Sequence, residues 1–184
     1  PPPPAPKKAE SSQQFFKEEF EYQNPTEEQK EKEYDENKEQ QIINDFQEKE
    51  NASIKINKKD GDSFFTALAN ENNGDSLLIR KEVASYIKNE YQNLQLDLSL
   101  FNDDINNYYN YLQKNGNYIT SDSEIQASAN IYNLHIQIVE QDNDKSKYSN
   151  RFYISNSDDV DKIKTLHLFK LVDSNTYHNI KFND

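Results

Sequence analysis

Asp60-Gly61-Asp62-Ser63-Phe64-Phe65-Thr66-Ala67-Leu68 is the most informative run of residues in this sequence. An acidic-glycine turn leads into a short apolar helix, and the small hydroxyl side chain of Ser63 stands where the turn becomes the helix. The N-terminus of a helix carries unpaired N–H groups and positive dipole character, so it suits a nucleophile that must ionise or an oxyanion that must be held. Taken alone, the same pattern also describes a plain turn followed by a helix N-cap.

Composition limits the classes of partner and of site. The chain has 184 residues, enough for one ordinary domain, and a net charge of −12 from 21 basic and 33 acidic residues. This charge argues against nucleic acid and favours a partner with a basic face. The sequence has no cysteine, which excludes disulfides and thiolate metal sites. No Asp/His cluster has metal-ligand spacing, so we expect no metal and no cofactor.

The sequence also bears on location. No apolar run approaches the length of a membrane span, and no signal-peptide pattern is present. We therefore expect a soluble, intracellular protein, which would act in the host cytosol if it is a bacterial effector. The chain has no methionine, not even an initiator, so we expect it to be part of a longer protein.

Three regions follow from composition and periodicity. Residues 1–13 are rich in proline and too polar to pack, which predicts a disordered linker. Residues 14–50 predict a helical N-terminal arm, in which Phe16 and Phe20 share one helical face and Asn24 precedes a polar helix that starts at Pro25. This arm is either solvent-exposed, or grips a partner, or makes a homo-oligomer by self-association.

Residues 51–184 predict the compact domain. Ile54 and Ile56 alternate as a short strand, and Ser63 starts the next helix. Further amphipathic helices are predicted after Ser76 as N-cap, around residues 105–112, and after Ser121 or Asp122. Strands are predicted at 134–139, 151–154, 165–171 and 176–182. Helices followed by strands predict an α+β domain with α/β/α layers.

The run around Ser63 resembles the nucleophile motif of the ovarian-tumour (OTU) family of cysteine deubiquitinases. That motif is Asp-Gly-Asn-Cys followed by two large apolar or aromatic residues, so Ser63 stands in the place of the cysteine. Residues 80–87, 111–118, 124–127 and 177–180 resemble later family segments in the same order. The resemblance implies an OTU-like, papain-type cysteine protease fold with a central, mostly antiparallel sheet, and ubiquitin or a ubiquitin-like protein as partner.

The last segment departs from the family pattern, which places the base histidine and its orienting Asn or Asp two residues apart on one strand face. Here His178 and Asn179 are adjacent. In one register the base position is Tyr177; in the other it is Thr176, with His178 at the orienting position. The resemblance implies His178 as the general base. Asn179 or Asp60 would orient it, and Asp60 would also belong to the oxyanion loop. We expect Ser63 and His178 to meet at a cleft for an extended peptide tail.

Serine at this position changes the chemistry. A thiol is driven to the thiolate by a helix N-terminus and an imidazolium, whereas a serine hydroxyl is much less acidic and needs a well-placed general base. We therefore expect the chain to be almost inert in hydrolysis. Three interpretations stay open: a thiol deubiquitinase whose cysteine was replaced by design, a natural pseudoenzyme that binds ubiquitin or another protein, or a structural self-association domain.

Overall fold

The computed structural model describes residues 25–141 and 147–184. The predicted linker at 1–13 and the aromatic residues at 15–22 lie outside the described residues. The helices are α1 (Pro25–Glu50), α2 (Ser63–Asn72), α3 (Ser76–Glu90), α4 (Ile105–Leu112) and α5 (Asp122–Tyr132). The strands are β1 (Ala52–Lys55), β2 (His135–Gln141), β3 (Tyr148–Tyr153), β4 (Thr165–Leu171) and β5 (Thr176–Phe182).

The five strands of the described residues form one sheet in the order β1-β5-β4-β2-β3. β4 and β2 run parallel, and the other neighbouring strands are antiparallel. This arrangement confirms the mostly antiparallel sheet. Helices α2 to α5 pack on one face in the main apolar cluster, and α1 packs on the other face in a second cluster. The predicted α/β/α layering is therefore confirmed.

Residues 134–141 and 165–182 show how the sequence builds the two faces. In β2, Ile136 and Ile138 enter the main cluster, while Val139 enters the second. In β4, Leu168 faces the main cluster and Phe169 faces α1. Alternating apolar residues on both faces are what a central strand between two helical layers requires.

Helix α1 is attached to the sheet by its C-terminal half. Phe46 is 1% exposed, and its ring centroid lies 4.6 Å from that of Phe169. The side chain of Gln47 accepts a hydrogen bond of 2.8 Å from the N–H of Ile54.

Within the described residues, no helix is both long and apolar enough to cross a membrane.

The N-termini of α5 and α3 show which side chains cap these helices. Ser121 caps α5 in a capping box with Glu124, as one of the two predicted caps. The predicted cap of α3, Ser76, is wrong: Asp75 is the N-cap, and its carboxylate accepts hydrogen bonds from the N–H groups of Leu77 and Leu78. Asp75 has the extended backbone that a cap needs, and this leaves Ser76 as the first helical residue.

Candidate active site

The turn before α2 is closed by its own backbone and by Asp60. The Asp60 carboxylate accepts a hydrogen bond of 2.9 Å from the N–H of Asp62, and the Asp60 carbonyl accepts one of 3.4 Å from the N–H of Ser63. Ser63 is the first residue of α2 and is only 2% exposed. The N–H groups of Asp62 and Ser63 are thus both directed at Asp60.

Arg80 of α3 holds this turn in place. Its guanidinium is fully buried and donates to the Asp62 carboxylate at 2.8 Å and to the Gly61 carbonyl at 3.1 Å. It also donates to the carbonyls of Leu112 and Asn117, at 2.8 and 2.7 Å. Burial lowers the pKa of Arg80, and the hydrogen bond and charge of Asp62 oppose that shift. One side chain thereby joins the turn before α2 to the segment after α4.

Sequence reasoning missed this role of Arg80. The signal was its position: Arg80 shares a helical face with Ala84 and Ile87, both fully buried, so its charge had to be paired inside the domain.

The same two segments touch through two glycines. The Asp62 carboxylate accepts a hydrogen bond of 2.8 Å from the N–H of Gly116. A Cβ atom on Gly61 would lie 1.8 Å from the carbonyl oxygen of Gly116, and Gly116 itself has a φ of +89°. The loop pair can therefore close only with glycine at position 61.

β5 lies directly beside Ser63. The backbone N–H of Tyr177 donates a hydrogen bond of 3.0 Å to the Ser63 hydroxyl oxygen. The Tyr177 ring packs against Phe64 at 5.3 Å, and the Asn179 amide donates to the Ala67 carbonyl at 3.0 Å. Tyr177 and Asn179 thus both point toward α2, so of the two predicted registers the strand places Tyr177, and not Thr176, on the side of Ser63.

His178 points to the opposite face of the sheet. It pairs across the strands with Phe169, which belongs to the α1-side cluster, and its Nδ1 accepts a hydrogen bond of 2.9 Å from the N–H of Asn57. Burial lowers its pKa to about 4, so the imidazole is neutral at pH 7. The expected meeting of Ser63 with His178 is not observed, because successive side chains of a strand leave opposite faces.

Asn179 takes part in a cluster of amides instead of orienting a histidine. Its Oδ1 accepts hydrogen bonds from Asn57 at 3.0 Å and from Asn70 at 2.9 Å. Asn70 also donates to Oδ1 of Asn57, and Asn57 donates to the Tyr177 carbonyl. These amides join the end of β1 to α2 and β5. Asparagine is abundant throughout this sequence, so no sequence signal singled out Asn57 or Asn70.

A cleft of about 560 Å³ opens next to this site. It is formed by the turn before α2, the segments on both sides of α4 together with Tyr111 of α4, and the β4–β5 turn. Its lining comprises Lys59, Leu100, Tyr111, Tyr118, Ile119, Thr120, Asp173, Ser174 and Asn175. Lys59 also forms an ion pair with Glu39 of α1. Ser63 is not part of the lining; its hydroxyl lies beneath the surface, bonded to β5.

Comparison with known proteins places this geometry in context. No protein-family model matches the sequence, and no curated protein matches it either. Among solved structures, the OTU domain of OTUD1 has a TM-score of 0.63 at 14% identity, covering 77% of this chain and 93% of that one. The Hazara virus OTU, solved bound to ubiquitin, has a TM-score of 0.55 at 14% identity, covering 72% and 82%. The Taggert virus OTU domain protease has a TM-score of 0.52 at 18% identity, covering 71% and 79%.

The chain therefore has the fold of OTU domains, as the resemblance around Ser63 implied. In this chain that fold presents Tyr177 and Asn179, rather than His178, on the side of Ser63.

The contact of Gly61 with Gly116 predicts a stability effect. Gly61→Ala should lower the free energy of unfolding by about 1–3 kcal/mol, because the added methyl group meets a backbone oxygen that cannot move alone. Gly74→Ala is the matched control, since its Cβ would meet only the flexible tip of Ile79 at 3.3 Å. Urea unfolding of both variants checks this, and equal losses in the two would contradict the close approach.

The buried imidazole predicts a pH dependence. As the pH falls from about 6.5 toward about 4, the unfolded chain binds a proton that the folded His178 does not take up, so the protein loses stability. His178→Asn keeps an acceptor near the N–H of Asn57 and does not titrate. The stability of the original chain relative to this variant should be constant above pH 7 and should fall through that window. Urea unfolding at a series of pH values measures the difference in the free energy of unfolding between the two proteins. A difference that does not change with pH would show that burial does not lower the pKa of His178.

Proposed function

We propose that this domain is a non-hydrolytic OTU-like module that binds the C-terminal tail of ubiquitin, or of a ubiquitin-like protein, in the cleft. The observation that carries the proposal is the side chain that β5 presents on the side of Ser63. That side chain is Tyr177, whose backbone N–H bonds to the Ser63 hydroxyl and whose ring packs on Phe64, while His178 lies on the other face.

A tyrosine in this place supplies no general base. Burial raises the pKa of Tyr177 above its ordinary value, so the phenol stays protonated at neutral pH. Serine attacks a carbonyl only when a neighbouring base removes its proton. Ser63 and Tyr177 together therefore favour binding over hydrolysis.

The surroundings of Ser63 support the same conclusion. The hydroxyl oxygen already accepts a hydrogen bond from the N–H of Tyr177, and the residue is nearly inaccessible. The N–H groups of Asp62 and Ser63 are bonded to Asp60. An acyl group would find neither an exposed nucleophile nor free loop N–H donors on these two residues.

The cleft itself supports a binding role. Its wall combines the apolar side chain of Leu100, which is 46% exposed, with the aromatic ring of Tyr118 and the carboxylate of Asp173. The lining also contains Lys59, whose charge is paired with Glu39. An extended tail with apolar and basic residues would suit the apolar part of this lining and the net charge of −12. Two structurally similar domains, an OTU domain and the Hazara virus OTU, were each solved with ubiquitin bound.

The alternative is a thiol deubiquitinase in which serine was substituted by design. The intact turn, held by Arg80 and closed on Gly116, favours this interpretation. It requires that restoring the cysteine alone recovers activity. Tyr177 counts against it, because a designed change at position 63 does not remove a histidine from β5.

Restoring the two reactive groups separates these interpretations. We expect Ser63→Cys alone to react poorly with a ubiquitin C-terminal electrophile. Ser63→Cys with Tyr177→His should react at least tenfold faster, because the imidazole then stands on the side of residue 63, two residues before Asn179. The rate of adduct formation is the measurement, with thermal unfolding to confirm that the variants fold.

Ser63→Cys with His178→Asn is the matched control and should behave like Ser63→Cys alone. Full reactivity of Ser63→Cys alone would favour the parent enzyme. Equal rates for Ser63→Cys with and without Tyr177→His would contradict the geometry assigned to β5.

Binding is tested on the chain as it stands. Ubiquitin titrated into the ¹⁵N-labelled protein should shift the amide signals of residues 118–120 and 173–175. Asp173→Lys should weaken the affinity at least fivefold, because it reverses a charge in the cleft lining. Asp158→Lys makes the same charge change at an exposed residue outside that lining and should leave the affinity unchanged. Absence of binding at millimolar ubiquitin, or shifts confined to other surfaces, would refute the proposal.

A further inference from the structure

The α1 side of the sheet carries an aromatic surface that α1 does not cover. Phe152 of β3 is 61% exposed and Phe182 of β5 is 38% exposed. Gln137 and His167 lie between them: Gln137 pairs with Phe152 across the strands and bonds to His167, whose ring lies 5.1 Å from that of Phe182. We call Phe152, Gln137, His167 and Phe182 the uncovered strip.

Strand alternation fixes the side on which this strip lies. Tyr153 belongs to the main cluster, so its neighbour Phe152 faces the other way. Phe182 is two residues from Ile180, which packs with α1. Ile43 and Phe46 of α1 thus cover the adjacent part of this face and leave the strip open. Exposed aromatic side chains grouped in this way are typical of interaction sites.

The length of α1 bears on what can cover the strip. α1 spans 26 residues, which corresponds to about 39 Å between its ends. Phe182 pairs with Ala52, just beyond the C-terminal end of α1, so the strip lies at that end. Pro25 is at the other end.

The chain before Pro25 carries the aromatic tip, residues 15–22, with Phe15, Phe16, Phe20 and Tyr22. Phe20 is five positions before Pro25, and a chain of this length reaches at most about 18 Å. Even Phe15, ten residues away, reaches only about 36 Å. Phe16, Phe20 and Tyr22 fall short of the length of α1 even when the chain is fully extended, and only a fully extended Phe15 approaches it. The tip as a unit therefore does not reach the strip of its own copy.

We propose that the aromatic tip of one copy docks on the uncovered strip of a second copy, and that the exchange is reciprocal in a two-fold dimer. A docked aromatic side chain buries about 150–250 Å². Two tips of four aromatic residues each then bury roughly 1,200–2,000 Å², the size of a stable protein interface. The interface uses neither the cleft nor Ser63, so the inference is independent of the proposed ubiquitin binding.

Sedimentation equilibrium of the full chain at tens of micromolar tests the inference. The original chain should be a dimer. Phe152→Ser, and separately Phe16→Ser with Phe20→Ser, should each raise the dimer dissociation constant at least tenfold. Leu78→Ser is the matched control, because Leu78 is also 61% exposed but lies on α3, and it should leave the dimer intact.

Mixing the two defective variants gives a sharper test. Phe152→Ser keeps an intact tip, and the variant with Phe16→Ser and Phe20→Ser keeps an intact strip. The mixture should therefore form a heterodimer through one docked tip, although neither variant dimerises well alone. A monomeric original chain would overturn the proposal. A dimer that both variants retain, or that Leu78→Ser also disrupts, would overturn the assigned surface.

Discussion

The register of β5 between β1 and β4 is the constraint on which the rest of the site depends. Both neighbours pair with it antiparallel, and this pairing places Tyr177 and Asn179 toward α2, with His178 and Ile180 toward α1. A slip of one residue would exchange the two faces. It would remove Ile180 from its cluster, at about 1.5–3 kcal/mol for a buried aliphatic side chain, and break the bonds of Asn179, at about 1 kcal/mol each. The histidine cannot turn to Ser63 without these losses.

Arg80 is the second organising group, and it explains how the turn keeps its shape. Its guanidinium donates to the Asp62 carboxylate and to carbonyls on two segments. The guanidinium carbon, Cζ, lies 4.5 Å from the centroid of the Phe65 ring. A buried ion pair of this kind adds little net stability by itself, but removal of one partner leaves an unpaired charge inside the protein. The shape of the turn before α2 therefore depends on Arg80 and on the Asp62 carboxylate that pairs with it.

Much of this fold was predictable from the sequence. β4 and β5 have the predicted bounds, since their alternating apolar residues must fill two cores at once. The site was predictable only in part. Alternation along β5 showed that His178 and Asn179 would face opposite sides, but the face of each depended on partners distant in sequence, Asn57 and Asn70. Arg80 was missed for a related reason: its role lies in carbonyl groups of loops that the helical pattern does not describe.

The protonation state of His178 shows which face of β5 the histidine occupies. Nitrogen-15 chemical shifts of its imidazole, followed from pH 7 to pH 4 in the original chain and in Ser63→Ala, report the tautomer and the contact with position 63 together. We expect a neutral ring whose unprotonated Nδ1 accepts the N–H of Asn57, and a titration that Ser63→Ala leaves unchanged. A ring that titrates near its ordinary pKa of about 6.5 and responds to Ser63→Ala would contradict it.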